Sequence, residues 1–346
     1  MRSGPAGAKI VSRRRPSRRS RAVSASIATV TVSLLAAGCH VLGTGSSTAA
    51  LTKTSVTVAT VQGVDAAPLY LGIRDGLFAN AGLTVNIVTY NSASQEISAL
   101  TSGSANVAIG DYADFFFAQD AASHQDFSIV ADAYDAAPSV MQVLALPGTI
   151  TTPQQLAGKT IGTPAPQAMR YSTTLPYSEE TLATQSVLTD DGVDLKSVTW
   201  KAMPAGQLLG ALRNHQVSAI LATEPTIYQA ETQLGATQVI DSCSGRTASL
   251  PLAGYFTLGS FSHKYRSTVL AFRSALLKAQ AQAAQAAQVQ AVLASDEHMG
   301  NQTAALVTLG VYPTALKASS LQRVAALMSA FNVLNPPIDV SPLIFH

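Results

Sequence analysis

The chain has 346 residues, of which 47% are hydrophobic and 12% charged, and this length and composition are typical of a globular protein with two compact domains. The formal net charge of +2 is unevenly distributed, because residues 1–21 hold eight basic side chains and no acidic one. The remainder has 14 basic and 20 acidic side chains, a net charge of −6, which argues against nucleic acid as a partner.

The basic N-terminus is followed by a run of small and apolar residues at 22–37. A helix of this length would span ~24 Å, less than the ~30 Å hydrocarbon core of a bilayer, so residues 1–38 are predicted to be a signal peptide. The run ends in Leu35-Ala36-Ala37-Gly38-Cys39, which resembles a bacterial lipobox, although the leucine lies one place earlier than in the usual pattern. We expect a diacylglycerol on Cys39, with ordinary cleavage or an uncleaved anchor as the alternatives. Residues 39–53, rich in Gly, Ser and Thr, are predicted to be a flexible linker that tethers the protein to the outer face of the bacterial cell membrane.

The chain has only two cysteines, Cys39 and Cys243. If Cys39 carries the lipid, Cys243 has no partner, and no disulfide is expected. Cys243 is then predicted to be a small residue of the core.

Residues 55–111 alternate between β-branched runs and amphipathic segments that end in Gly or Asn. This pattern predicts strand, helix, strand, helix, strand, the order of parallel βαβ units. Each predicted strand runs into a loop of small and polar residues, at 62–65, 91–94 and 110–112. Ligands of open α/β sheets lie beyond the carboxyl ends of the strands, where helix N-termini present unpaired N–H groups. These loops are therefore predicted to form a ligand-binding wall.

The chain is predicted to continue with a helix whose Phe115, Phe116 and Phe117 pack in the core, two strands near 127–133 and 140–146, and a break at Pro147-Gly148. A second α/β unit then has predicted helices at 152–157, 206–213 and 226–234, and a further helix that ends near residue 189. Its predicted strands are at 159–163, 198–203, 218–222 and 237–241. It is followed by an extended run at 249–256 and by helices at 269–294, 302–309 and 318–328. Because helices return after an inserted unit, lobe 1 is predicted to be discontinuous, with residues 54–143 and 248–346, and lobe 2 to hold residues 144–247.

Two helix, turn and strand segments in different halves of the chain have the same spacing. Counting ten residues from Leu100 and from Leu212 reaches two strand ends, so Asp111-Tyr112 and Thr223-Glu224 occupy matching places. If the two halves face each other, Asp111 and Glu224 border one cleft. The alternative is a repeated α/β building block without a shared site.

The sequence lacks the motifs of common catalytic and metal sites. It has no Gly-x-Ser-x-Gly elbow, and its six histidines show no pair at metal-ligand spacing. Gly158-Lys159-Thr160 is similar to the end of a phosphate loop, but Pro153 stands where that loop needs its first glycine, and the motif precedes its strand. There is no helix-turn-helix segment and no basic stripe. We therefore expect no catalysis, no metal and no cofactor.

Polar side chains at the predicted strand ends are the candidate ligand contacts. Gln62 can both donate and accept hydrogen bonds, and Ser92 and Ser94 can cap a helix and still reach a ligand. Asp111 and Glu224 only accept hydrogen bonds when they are ionised. Each residue also has a purely structural interpretation, with Ser94 as an N-cap and Glu224 as the start of a helix.

Three segments of the chain resemble a known family, namely APLYLGIRDGLFANAGLTVNIVTYNSASQEISALTSGSANVAIGDYADF at 67–115, ALRNHQVSAILATEP at 211–225 and LAGYF at 252–256. They resemble the sulfonate, nitrate and thiamine-precursor group of substrate-binding proteins that feed ABC importers, and the resemblance extends over residues 56–331. It implies the α/β, two-lobed periplasmic-binding-protein type II fold. Each lobe would be a mostly parallel sheet flanked by helices, with two crossing strands as the hinge.

The resemblance also implies a function without catalysis, in which a small-molecule ligand is held between the lobes and the closed complex is presented to an ABC permease in the membrane. By position, the family's binding loops correspond to Gln62, Asp65, Ser92, Ser94, Asp111 and Tyr112 in lobe 1 and to Thr163, Gln167 and Glu224 in lobe 2. We expect a monomer. One alternative is an enzyme of thiamine-pyrimidine synthesis on the same scaffold, which needs a histidine or lysine in the cleft. Another is a purely structural surface lipoprotein, which predicts no cleft.

The charges near the strand ends differ from what a sulfonate or nitrate site requires. Asp65, Asp111 and Glu224 lie there, and Arg170 is the nearby cation. Because a desolvated anion beside carboxylates is costly, the sequence favours a neutral or cationic ligand, such as a thiamine-type pyrimidine or another heterocycle.

Overall fold

The structure is a computed structural model that describes residues 51–120, 125–164, 177–296 and 299–346. The predicted signal peptide at 1–38, the lipidation at Cys39 and the candidate site residue Gln167 lie outside the described residues. Within the described ranges, no helix has both the length and the apolar character that crossing a membrane requires.

The helices and strands follow the predicted order closely. The strands are β1 Ser55–Val61, β2 Thr84–Tyr90, β3 Val107–Asp111, β4 Phe127–Asp135, β5 Met141–Ala145, β6 Thr160–Pro164, β7 Thr199–Met203, β8 Ala219–Thr223, β9 Thr237–Asp241 and β10 Pro251–Leu258. The α-helices are α1 Ala67–Arg74, α2 Leu77–Asn80, α3 Ala93–Thr101, α4 Tyr112–Asp120, α5 Glu179–Asp190, α6 Ala205–Arg213, α7 Thr226–Leu234, α8 Gly259–Lys264, α9 Arg266–Ala283, α10 Ala286–Ser295, α11 Asn301–Leu306 and α12 Ala318–Ala330. The long helix predicted at 269–294 is broken between α9 and α10, and the helix predicted at 152–157 is a short 3₁₀ helix, Pro153–Leu156.

The strands in the described part of the chain form two five-stranded sheets, in the orders β2-β1-β3-β10-β4 and β7-β6-β8-β5-β9. In the first sheet β1 pairs in parallel with β2 and β3, and in the second β6 pairs in parallel with β7 and β8. β10 and β5 run antiparallel to both of their neighbours. Four of the five strands in each sheet thus share one direction, which confirms the predicted two-lobed α/β fold with mostly parallel sheets.

Two connections between the sheets are visible in the described chain, at 136–140 between β4 and β5 and at 242–250 between β9 and β10. The strand that follows each connection is the antiparallel strand of the sheet that it enters. Because Met141–Ala145 belongs to the second sheet, the lobe boundary predicted between residues 143 and 144 falls inside this strand. All five residues of the strand are buried, and four of them are apolar, so its sequence carries no sign of which sheet it joins.

The structure confirms that the phenylalanines of α4 pack in the core, with Phe117 partly buried, and that Cys243 is a core residue. Phe115 and Phe116 are buried, and the Phe115 ring stacks on Phe256 with centroids 3.8 Å apart. Cys243 is also buried. The end of the predicted linker is already part of the fold, because the Lys53 carbonyl accepts a hydrogen bond of 2.6 Å from the Thr268 hydroxyl.

Candidate functional site

A cavity of about 730 Å³ lies between the two sheets. Six strands pair in parallel, and each lines the cavity with a residue at or directly after its carboxyl end. For β1, β2, β3, β6, β7 and β8 these residues are Val61, Asn91, Asp111, Pro164, Met203 and Thr223. The loops predicted to form a ligand-binding wall therefore do border a cavity, and both sheets contribute to it. This is the position in which open α/β sheets hold ligands.

The cavity brings together five of the nine predicted site residues, namely Gln62, Asp65, Ser92, Asp111 and Glu224. Asp111 and Glu224 come from the two segments of matching spacing, and the strand ends that carry them face one common space. The equal spacing in the sequence thus corresponds to two halves of one cavity. Gln167 lies outside the described residues.

Tyr112 does not line the cavity, which corrects its predicted place in the cleft. The side chain is completely buried, and its hydroxyl donates a hydrogen bond of 3.0 Å to Asp132 Oδ1. Its ring fills the space beside Gly254, where an added Cβ would lie 2.6 Å from the ring. Asp111 ends β3 and Tyr112 begins α4, so these consecutive side chains point in different directions. Tyr112 therefore stabilises the lobe.

Thr163 and Ser94 are also placed away from the cavity lining. Thr163 is completely buried in β6, while the next residue, Pro164, lines the cavity, because successive strand residues point to opposite faces. Ser94 is exposed, with its hydroxyl 3.1 Å from that of Ser92. Ser92, not Ser94, is the N-cap of α3, and its hydroxyl accepts a hydrogen bond of 3.4 Å from the Gln95 amide.

Four carboxyl side chains line the cavity from the first sheet and its helices. Burial, followed by the charges of Asp65, Asp111 and Asp114, raises the pKa of Glu96 well above its ordinary value. Burial raises the pKa of Asp65 to about 6, although two backbone N–H groups oppose the shift. Burial and Glu180 raise the pKa of Asp114 to about 7, and burial together with Glu180 and other neighbouring carboxylates raises the pKa of Asp111 well above its ordinary range.

Three more carboxyl side chains come from the second half, namely Glu179, Glu180 and Glu224. Glu179 and Glu180 form the first turn of α5, which begins there because Ser178 and Thr181 exchange hydrogen bonds in a capping box. Burial, followed by the charge of Asp111, raises the pKa of Glu179 well above its ordinary value. Burial also raises the pKa of Glu224, against the lowering effect of two backbone hydrogen bonds.

Two of these carboxylates make hydrogen bonds between the halves of the molecule. Glu179 Oε2 accepts from the Ala113 amide of α4 at 3.2 Å. Glu224 Oε1 accepts from the Thr308 amide at 2.9 Å, while its Oε2 accepts from Tyr228 at 3.1 Å and so caps α7. Glu224 therefore has the predicted structural role at the start of a helix and also lines the cavity.

The sequence interpretation missed four of the acidic lining residues, Glu96, Asp114, Glu179 and Glu180. Each lies in the first turn of a helix whose start borders the cavity. Acidic residues are common in first turns because they interact favourably with the helix dipole, so the pattern did not distinguish a site from ordinary capping. The presence of acidic residues in helix first turns after three separate predicted strands would have indicated an acidic site.

The part of the cavity lining that the structure describes is strongly acidic. Seven carboxyl side chains line it, and none of the lining residues that the structure describes is a lysine, an arginine or a histidine. The described residues also contain no group of three or more His, Cys, Asp or Glu side chains placed to hold a metal ion. The raised pKa values follow from this arrangement, because buried like charges favour the protonated form.

Two lobes with a ligand-sized cavity between them define the fold class of the periplasmic binding proteins. The family described as NMT1/THI5 like matches residues 64–290, more than half of the chain. The chain belongs to the NMT1/THI5-like family, which confirms the expectation from the three segments. A search of curated protein sequences found no match.

Solved structures confirm the fold. The ligand-binding component of an ABC-type import system from Staphylococcus aureus with zinc bound has a TM-score of 0.68 at 14% identity, over 85% of this chain and 97% of that chain. The periplasmic nitrate-binding protein NrtA from Synechocystis PCC 6803 has a TM-score of 0.66 at 13% identity, over 85% of this chain and 86% of that chain. The periplasmic aliphatic sulphonate binding protein SsuA from Escherichia coli has a TM-score of 0.65 at 14% identity, over 85% of this chain and 98% of that chain. At these identities the similarity establishes the fold alone.

Proposed function

We propose that the protein is an extracytoplasmic solute-binding protein of an ABC importer, which binds one small polar molecule between its lobes and delivers it to a permease. The observation that carries this proposal is the cavity at the carboxyl ends of parallel strands from both sheets. A ligand there would contact both halves and so favour the closed form of the protein. The names of the similar solved structures, which include an import component, a nitrate binder and a sulphonate binder, support the same function.

The alternative of an enzyme depends on which side chains face the cavity. The described lining residues include no histidine, lysine or cysteine. An enzyme of thiamine-pyrimidine synthesis on this scaffold would need such a group within reach of its substrate. We therefore propose transport as the role of the site.

The N-terminal sequence supports attachment to the outer face of the cell membrane. We propose cleavage before Cys39 and lipidation of its thiol, with residues 40–50 as a tether that is long enough to let the lobes reach a permease. We also propose a monomer, with the permease as the protein partner.

Mass spectrometry of the full-length gene product, purified from the membranes of a bacterial host, tests these proposals together. The denatured chain should begin at Cys39 and carry the added mass of a lipid, and the native chain should carry one small organic molecule that is lost on denaturation. A Cys39→Ser variant should appear without the lipid mass. If the native protein carries no solute, and no solute of the sulfonate, nitrate or pyrimidine classes raises its Tm, the binding function is contradicted.

A further inference from the structure

The cavity holds two buried carboxyl oxygens that have no hydrogen-bond partner. Glu96 is 1% exposed and Glu179 is 3% exposed, and both line the cavity from opposite halves of the molecule. The Oε1 atom of each makes no hydrogen bond to any described residue. Buried polar atoms are nearly always paired in folded proteins, so these two oxygens are free to accept a hydrogen bond from outside the described chain.

We propose that the cleft selects a small organic cation with N–H donors, held between Glu96 of one lobe and Glu179 of the other. The inference rests on the solute-binding function proposed above and names its substrate class. Primary ammonium, guanidinium and amidinium groups fit this description, because they carry several N–H donors and no acceptor.

An anion is the ligand class that the cavity disfavours most. Seven carboxyl groups surround the space, with no described basic residue in the lining to offset them. Like charges in contact repel more strongly in a partly buried setting than in water. A sulfonate or nitrate would have to bind against several such repulsions, or only after most of the carboxyl groups had taken up protons.

A bare metal ion fits the cavity less well than an organic cation. The volume of about 730 Å³ is in the range of sites for molecules with many atoms. The lining carboxyl groups are distributed over several elements, and no described group of three or more is placed to coordinate one ion. A cation of extended shape could instead contact Glu96 and Glu179 with different donors.

A cation bound in the cavity would displace protons from its carboxyl groups. Burial raises the pKa of Asp65 to about 6. Burial together with the charges of neighbouring carboxylates raises the pKa of Asp114 to about 7 and the pKa of Glu96, Asp111 and Glu179 well above the ordinary range. A bound cation favours the ionised carboxylates, so binding should release protons and tighten as the pH rises. Among the described residues, the titratable groups that line the site are Asp65, Glu96, Asp111, Asp114, Tyr134, Glu179, Glu180 and Glu224.

The test is isothermal titration calorimetry of the full chain, extracted from membranes in detergent and freed of solute by dialysis. The probes are agmatine and putrescine as cations, cytosine as a neutral heterocycle and methanesulfonate as an anion, each at pH 5.5, 6.5 and 8.0. Repeating the cation titrations in two buffers with different ionisation enthalpies measures the protons released. We expect cation binding that tightens at least about tenfold from pH 5.5 to 8.0, with proton release.

Glutamine variants distinguish a cation from a neutral ligand, because glutamine has the shape of a protonated carboxyl group. Glu96→Gln and Glu179→Gln should each weaken cation binding by about 10-fold to 100-fold, as expected for the loss of a charge-assisted hydrogen bond. Glu179→Gln keeps an oxygen for the Ala113 amide, so folding should be preserved. Glu231→Gln is the matched control, since Glu231 is exposed on α7 and does not line the cavity.

Three outcomes would overturn the inference: no binding of either cation, tighter binding of cytosine or methanesulfonate, or cation binding that Glu96→Gln and Glu179→Gln leave unchanged. Binding of cytosine or methanesulfonate in the cleft would still support the solute-binding function while removing the cation as its ligand. A protein that carries no solute, that binds none of the four probes and whose Tm no tested solute raises contradicts that function itself, so the two failures are distinguishable.

Discussion

At the scale of single residues, Gly110 lies between a carboxyl group of the cavity and an aromatic ring of the hydrophobic core. A Cβ at this position would lie 2.8 Å from Glu96 Oε2 and 3.0 Å from the Phe115 ring. Phe115 is fixed in turn by its stacking on Phe256, with centroids 3.8 Å apart. The Glu96 carboxyl group is therefore held against a backbone that has no side chain, and the core behind it leaves little room to move.

Gly110→Ala should consequently reduce both stability and ligand affinity. The added methyl group needs either Glu96 or Phe115 to move, and such overpacking typically costs about 1–3 kcal/mol. Urea denaturation would measure the loss of free energy of unfolding. Gly210→Ala is the control, because Gly210 lies within α6 with no atom within 4 Å of an added Cβ, and it should gain roughly 0.5–1 kcal/mol. If the Gly110→Ala variant is as stable as the unmodified protein, Glu96 and Phe115 can move away from the added methyl group without cost.

Glu224 shows how a secondary-structure element joins the two halves. It follows β8 at the start of α7, and its two carboxyl oxygens accept hydrogen bonds from Tyr228 in its own helix and from Thr308 on the other side of the cavity. A hydrogen bond to a charged group contributes about 1.5–3 kcal/mol when it is well formed. The contact therefore holds the two halves together at this point.

Glu224→Ala should remove this contact together with the cap of α7. The amide of Thr308 should exchange hydrogen at least about tenfold faster, since each 1.4 kcal/mol of lost protection corresponds to a factor of ten. Amide exchange measured by mass spectrometry on peptides that cover Thr308 and Tyr228 would test this. Glu231→Ala, on the exposed face of the same helix, should leave exchange at Thr308 unchanged. If both variants behave alike, the hydrogen bond does not hold the halves together.

The sequence predicted the elements well because their periodicity is local. The matching places of Asp111-Tyr112 and Thr223-Glu224 could be read from spacing because each pair lies at a strand end that follows a helix and a tight turn. The sheet that Met141–Ala145 joins could not be predicted from the sequence, since this strand is buried on both faces and would suit either sheet. The side-chain direction of Tyr112 could not be predicted either, because it depends on the residue at which β3 ends and α4 begins.

At the scale of the whole molecule, the acidic site is an assembly that no single segment of the sequence reveals. Its seven carboxyl groups come from separate loops and helix starts in both halves, each of which has an ordinary explanation as a cap or a turn. Folding brings them together, and burial raises the pKa of Asp65, Glu96, Asp111, Asp114, Glu179 and Glu224. The net charge of the whole chain, +2, hides this concentration of acid because the basic N-terminus offsets it.

The stability of the solute-free protein should therefore fall as the pH rises, opposite to the usual behaviour of paired carboxylates. Burial raises the pKa of Asp65 to about 6, that of Asp114 to about 7 and, together with Asp135, that of Asp132 to about 8. The folded protein thus keeps protons that the unfolded chain, with ordinary values near 3.9, has already released, and stability declines between about pH 4 and pH 8. Thermal unfolding followed by circular dichroism should give a Tm roughly 5–10 °C lower at pH 8 than at pH 5. Asp132→Asn, which keeps an oxygen to accept the hydrogen bond from Tyr112, should flatten the upper part of this dependence. A Tm that increases from pH 5 to pH 8 would show that these carboxyl groups are ionised in the folded protein.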